Sequence, residues 1–183
     1  MPQPIHHSKP PHLPVSHGTL AAVVGLFILA ACVDSPAPAD SGVTGGEGHP
    51  TAAGIIVQAV ETSQAPAAIG PYSQAILAGN TLYLAGQVGM DPVTGEMAEG
   101  GIEAETRQVM ENLSAVLEAA GSSFRDVVQT QVFLADLADF AILNEIYGSY
   151  LSEPYPVRAT VQVAALPRGA RVEIQMVAVL RER

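Results

Sequence analysis

The stretch RVEIQMVAVL, Arg171 to Leu180, changes character at almost every step. Val172, Ile174, Met176 and Ala178 fall on one side; Arg171, Glu173, Gln175 and Val177 fall on the other. Period two marks a strand with one face against a core, because successive side chains of a strand point to opposite faces. That strand commits the chain to a sheet with one covered face and to apolar elements that cover it.

Two helical segments meet the need. Val109, Leu113, Val116, Leu117 and Ala120 recur at helical spacing between Glu103 and Ala120, and Gly121 is a stop signal. Phe140, Leu143, Ile146 and Tyr147 mark a second helix, ended by Pro154 and Pro156. Further strands are read at Ile55 to Val60, Ser73 to Ala78, Thr81 to Val88, Asp126 to Ala135 and Ala159 to Ala164. Gly79-Asn80 is a hairpin signal, since both residues tolerate positive φ, and Asp91 to Glu96 is a turn-rich loop. The order β-β-β-α-β-α-β-β predicts an α+β domain over 55–183, a sheet with two helices on one face.

Composition restricts the chemistry of that domain. From Gly54 to Arg183 there is no His, no Lys and no Cys. This removes Ser-His-Asp and Cys-His catalysis, a lysine Schiff base and histidine-ligated metal sites, so no metal centre is expected. Carboxylates, arginines, hydroxyls and backbone amides remain. The whole chain carries 8 Lys+Arg against 18 Asp+Glu, a formal charge of −10, which argues against backbone-driven binding of nucleic acid.

The single cysteine, Cys32, permits no intramolecular disulfide. It closes the run LAAVVGLFILAAC, in which Leu20 to Ala31 is too short to span a bilayer and suits a signal-peptide core. Leu29-Ala30-Ala31-Cys32 resembles the lipobox of bacterial lipoproteins. Residues 1–31 are therefore expected to be a signal peptide and Cys32 a lipidated anchor, giving an exported, membrane-anchored protein on the periplasmic side. A leader that is no functional signal would leave the protein in the cytoplasm. Val33 to Gly54 is rich in Pro, Ala, Gly and Ser and poor in large apolar residues, so 32–54 reads as the anchor and a flexible tether.

Four side chains in the domain invite attention, and each has a plain structural reading. From periodicity alone, Glu173 lies on a solvated sheet face. Arg158 opens a strand after Pro156-Val157, where a surface ion pair or a snorkelling side chain is common. Tyr72, after Gly70-Pro71, suits a packing aromatic with a wet hydroxyl. Asn144 suits an exposed helix face.

Taken together, AIGPYSQA, NTLYLAGQVGMDPVTGE, ENLSAVLEAAG, FRDVVQTQVFLADLADF and PVRATVQVAALPRGARVEIQMVAV resemble, in order, the RidA/YjgF family of enamine/imine deaminases. The resemblance covers about 55–183. It implies a chorismate-mutase-like α+β fold, a homotrimer with clefts between subunits, and cofactor-free hydrolysis of 2-aminoacrylate-type enamines, through their imines, to 2-oxo acids and ammonia. Its substrates are small imine or enamine carboxylates. On this reading Arg158 grips the substrate carboxylate, and Glu173 orients the attacking water and shuttles its proton. Tyr72 and Asn144 line the cleft, and Gly86 lets backbone approach the ligand. Two positions depart from the family pattern: Ala85 stands where serine is common, and Thr160 where cysteine is common. A backbone contact at Thr160 would survive that change. The alternatives are a non-catalytic module that binds small carboxylates or acts as a chaperone and, weakest given the charge, an endoribonuclease.

Overall fold

The computed structural model describes residues 49–50 and 54–181. The predicted signal segment, Cys32 and most of the predicted tether lie outside the described residues. The strands are β1 His49–Pro50, β2 Ile56–Val60, β3 Ala75–Ala78, β4 Thr81–Leu84, β5 Gln87–Val88, β6 Val127–Leu134, β7 Val157–Gln162 and β8 Val172–Val179. Helix α1, Gly101–Ala119, follows β5, and α2, Phe140–Tyr150, joins β6 to β7. The sheet runs β1-β2-β3-β4-β8-β6-β7, with β5 also paired to β8.

Every pairing is antiparallel except β6 with β7, which are parallel. A parallel neighbour needs a crossover connection, and α2 supplies it. The last strand is as its alternation demands: Val172, Ile174, Met176 and Ala178 are buried and the residues between them are not. Leu82, Leu84, Val132 and Leu134 join them from neighbouring strands. Val109, Met110, Leu113, Val116 and Leu117 of α1 and Leu143 of α2 complete the same core. Burying each such aliphatic side chain is worth about 1.5–3 kcal/mol against leaving it in water.

Glycine sets two of the junctions. Gly79, at φ 63°, turns the β3–β4 hairpin, in which Ala78 pairs with Thr81. Gly121, at φ 70°, ends α1: its N–H donates to Glu118 O (2.8 Å), and the Ser122 N–H donates to Leu117 O (2.9 Å).

Three boundaries differ from the sequence reading. The predicted strand Thr81 to Val88 is interrupted. Pairing with β8 moves from Tyr83↔Val177 to Gln87↔Ile174, four steps on one strand against three on the other, so one residue bulges out between Leu84 and Gln87. Strand β7 starts two residues before Ala159 and includes Arg158. Strand β1, paired to β2 through His49↔Val57 and Pro50↔Ile56, falls inside the predicted tether. The sheet face away from the helices carries exposed apolar side chains, among them Tyr83, Val157 and Val161.

Candidate active site

Strand β8 runs through the middle of the sheet, between β4 and β5 on one side and β6 on the other. Glu173 projects from the face opposite the helices, beside Val88 of β5 and Phe133 of β6. The bulge at Ala85-Gly86 brings backbone onto its carboxylate. A Cβ built on Gly86 would overlap that carboxylate and come within 2.9 Å of its Cδ, so only glycine lets the two meet. Glu173 makes no ion pair among the described residues. Burial alone raises its pKa above the ordinary carboxylate value of 4.5.

A cavity of about 350 Å³ opens over this carboxylate, lined also by Tyr72, Gly86, Gln87, Met90 and Arg168. Tyr72 sits at the end of a tight turn. Its N–H donates to Gly70 O (2.8 Å), and its hydroxyl accepts the Ile69 N–H (3.3 Å). Gln74, buried and two residues on, ties down the same wall: its amide donates to Thr62 O (3.0 Å) and Pro66 O (2.8 Å) and accepts from the Thr62 N–H (2.7 Å).

Arg158 lies elsewhere. It pairs in register with Thr130, a buried residue on the helix face, so Arg158 and Glu173 leave the sheet on opposite sides. Its guanidinium donates to Asn144 Oδ1 (2.8 Å) and lies 4.8 Å from the Tyr147 ring centroid and 5.6 Å from that of Phe140. Residues 140, 144 and 147 share one stripe of α2, which is why one guanidinium meets all three. The Tyr147 hydroxyl donates to Thr130 Oγ1 (3.1 Å). Burial pushes its pKa up against the smaller, lowering influence of the Thr130 bond and Arg158. A second cavity, about 480 Å³, is lined by Asn144, Tyr147, Tyr155, Pro156 and Arg158.

Thr160 stands two residues beyond Arg158 on the same face, its buried Oγ1 without a hydrogen-bond partner among the described residues. Thus Tyr72, Gly86 and Glu173 share one cleft, Arg158 and Asn144 share another, and Thr160 neighbours the second. One chain presents two half-sites. Arg168 and Tyr147 were missed from sequence. Pro167-Arg168-Gly169 signals a turn, and Arg168 occupies it at φ 57°, but nothing local says that the turn borders Glu173. Tyr147 reads as core, which it also is. Among the described residues no three His, Cys, Asp or Glu side chains gather to hold a metal ion. No helix there is long and apolar enough to cross a membrane.

The family described as Endoribonuclease L-PSP matches residues 62–180, and every residue of both half-sites falls within that span. The chain belongs to this family. A curated relative from Mus musculus, 2-iminobutanoate/2-iminopropanoate deaminase, is 52% identical over 125 residues, covering 68% of this chain and 93% of its own. The crystal structure of RidA from the Antarctic bacterium Psychrobacter sp. PAMC 21119 is 54% identical, with a TM-score of 0.66 over 67% of this chain and 99% of that one. TdcF of E. coli, solved with bound serine, is 38% identical, with a TM-score of 0.65 over 68% and 99%. The fold is thus the RidA-like α+β fold, and the RidA/YjgF resemblance in the sequence motifs points to the same family.

Proposed function

We propose that the chain is a hydrolytic deaminase of small 2-imino acids and their enamine tautomers, working without a cofactor. The observation that carries this reading is the Glu173 carboxylate, without an ion-pair partner among the described residues, partly dried and pressed against Gly86 in a cavity of small-metabolite size. Relatives about half identical to this chain bear the name of that activity.

In the proposed reaction Arg158 grips the substrate carboxylate bidentately, oriented by Asn144 and the Tyr147 and Phe140 rings. Glu173 takes a proton from water as the water oxygen bonds to the imine carbon and the C=N bond opens onto nitrogen. The tetrahedral intermediate then receives that proton on nitrogen. Glu173 next takes the proton of the new hydroxyl and passes it to the same nitrogen as the carbonyl forms, so that the C–N bond breaks, ammonia leaves, and a 2-oxo acid remains. Tyr72 lines the Glu173 half, and the Gly86 backbone and Thr160 lie close to bound substrate.

The two half-sites lie on opposite faces of one chain, so the complete site takes residues from two chains. A homotrimer satisfies this, and the apolar outer sheet face, with Tyr83, Val157 and Val161 exposed, supplies surface for it. A sealed trimer with Arg158 of one subunit beside Glu173 of its neighbour is the expected assembly.

The test uses 2-iminobutanoate generated in situ by an amino-acid oxidase, with release of 2-oxobutanoate followed. Purified protein accelerates hydrolysis, and Arg158→Ala abolishes the acceleration. Equal turnover by the variant would remove Arg158 from the site, and no acceleration by the native protein would overturn the enzyme reading.

The family description raises RNA cleavage as a second reading. The net charge of −10 and the lack of Lys and His after Gly54 weigh against it. RNA cleavage by nuclease-free protein, lost in Glu173→Ala, would restore it. For the residues before β1 we propose a signal peptide over 1–31, a lipidated Cys32 and a tether that ends at His49. Membrane fractionation against Cys32→Ser tests it, and two equally soluble forms would end it.

A further inference from the structure

Strand β5 is two residues long, separated from β4 by the bulge and paired to β8 only through Gln87↔Ile174 and Val88↔Glu173. So short a ladder does not hold its own position. Yet β5 follows directly on Gly86, whose backbone walls the Glu173 carboxylate, and both of its residues line the cleft. Its support comes from the opposite side.

Asn112 lies in the middle of α1 and is fully buried. Its amide donates to Val88 O (3.2 Å) and to Met90 O (2.9 Å), one carbonyl on each side of Gly89, while its oxygen accepts from Gln108 Nε2 (2.9 Å). Every polar atom of that side chain is therefore committed, three of its four hydrogen-bonding valences to named partners. At Gly89 itself, a Cβ would fall 2.6 Å from Glu105 Cα, so the chain leaving β5 lies flush against the helix backbone. Glu105, two turns before Asn112 on the same stripe, accepts the Arg171 N–H (2.7 Å) just ahead of Val172 and Glu173. Helix α1 thus fixes both strands that define the carboxylate.

We infer that Asn112, braced by Gln108, is a positioning residue that sets β5 against Glu173 and so fixes where the proton-handling carboxylate stands. It touches no reacting atom. The inference rests on the role proposed for Glu173. A residue acting in this way alters the chemical step and leaves the carboxylate grip of Arg158, in the other half-site, untouched.

Steady-state kinetics on 2-iminobutanoate separate this from mere stability. Asn112→Ala is expected to lower kcat about 10–100-fold, the scale of a misplacement near 1 Å, with KM nearly unchanged. Val116→Ala, a core cavity one turn along the same helix, serves as the control: it lowers Tm and keeps kcat near the native value. Gln108→Ala, at a half-buried position, keeps Tm and lowers kcat several-fold. Equal kcat in Asn112→Ala and Val116→Ala would overturn the inference, and so would a normal kcat in Gln108→Ala where Asn112→Ala yields no folded protein. Glu173→Gln in the same series keeps the two readings apart. If it turns over normally, the role of Glu173 fails; if it is inactive while Asn112→Ala behaves as the control does, only the positioning role fails.

Discussion

The Glu173 cleft and the Arg158 cleft are built on opposite plans. Glu173 stands on a central strand with neighbours on both sides, borders a cavity that it shares with Tyr72, Gln87 and Arg168, and makes no ion pair among the described residues. Arg158 stands on the edge strand β7, stacked on two aromatic rings and bonded to an amide oxygen. The first arrangement penalises charge and so makes the carboxyl hold its proton more firmly than a glutamate in water does. The second favours a cation, since the ring faces attract the guanidinium and the amide oxygen accepts from it. A group that must change protonation needs dry, rigid surroundings. A group that must stay charged needs partners that fix its direction, and an edge strand leaves it open to a second chain.

Exchanging the chemistry of the first cleft breaks this contrast most severely. Glu173→Gln is expected to lower kcat by about 10²–10⁴, the usual worth of general acid–base catalysis. In the native protein the acid limb of the kcat–pH profile should lie above that of an ordinary glutamate, because water is deprotonated only by the ionised carboxylate. A limb at or below pH 4.5 would contradict the burial that raises its pKa.

Geometry comes next. Gly86→Ala places a methyl group on the carboxylate and should reduce kcat about a hundredfold, again the price of displacing a reacting group by an ångström. Native kcat with the alanine in place would mean that Glu173 works from a different rotamer. In the second cleft, Asn144→Ala removes one charge-assisted bond from Arg158, worth about 1.5–3 kcal/mol. KM should rise at least tenfold with kcat nearly constant; a fall in kcat alone would show that the clefts do not divide the labour.

The smallest effect is one of stability. Folding raises the pKa of Glu173, so the folded chain holds that proton more tightly than the unfolded chain does. Its ionised form therefore opposes folding above the folded pKa, and the penalty fades as pH falls through that value towards the ordinary 4.5. Thermal melts of Glu173→Gln should give a slightly higher Tm than native protein at pH 7 and a smaller difference at pH 4. The reverse order would mean that a hidden cation stabilises the carboxylate.

What the sequence revealed, and what it hid, follows the range of the interactions. The β8 alternation placed Glu173 on the correct face because pleating is local, and Gly79 and Gly121 marked their turns for the same reason. The bulge at Gly86 escaped notice, since TLYLAGQV reads as continuous and only pairing with β8, some 90 residues on, interrupts it. That Arg158 and Glu173 face opposite ways was equally hidden. It depends on both strands pairing with β6, a register that neither stretch records alone. Asn112 carried no mark at all, as a polar residue in ENLSAVLEAAG looks like any other until its carbonyl partners are in place.

Strand β1 forms one margin of the sheet and β7 the other, so whatever sequence precedes His49 is joined at the border remote from Arg158. Within one chain, β2, β3, β4, β8 and β6 therefore separate β1 and the residues joined to it from β7 and the Arg158 half-site.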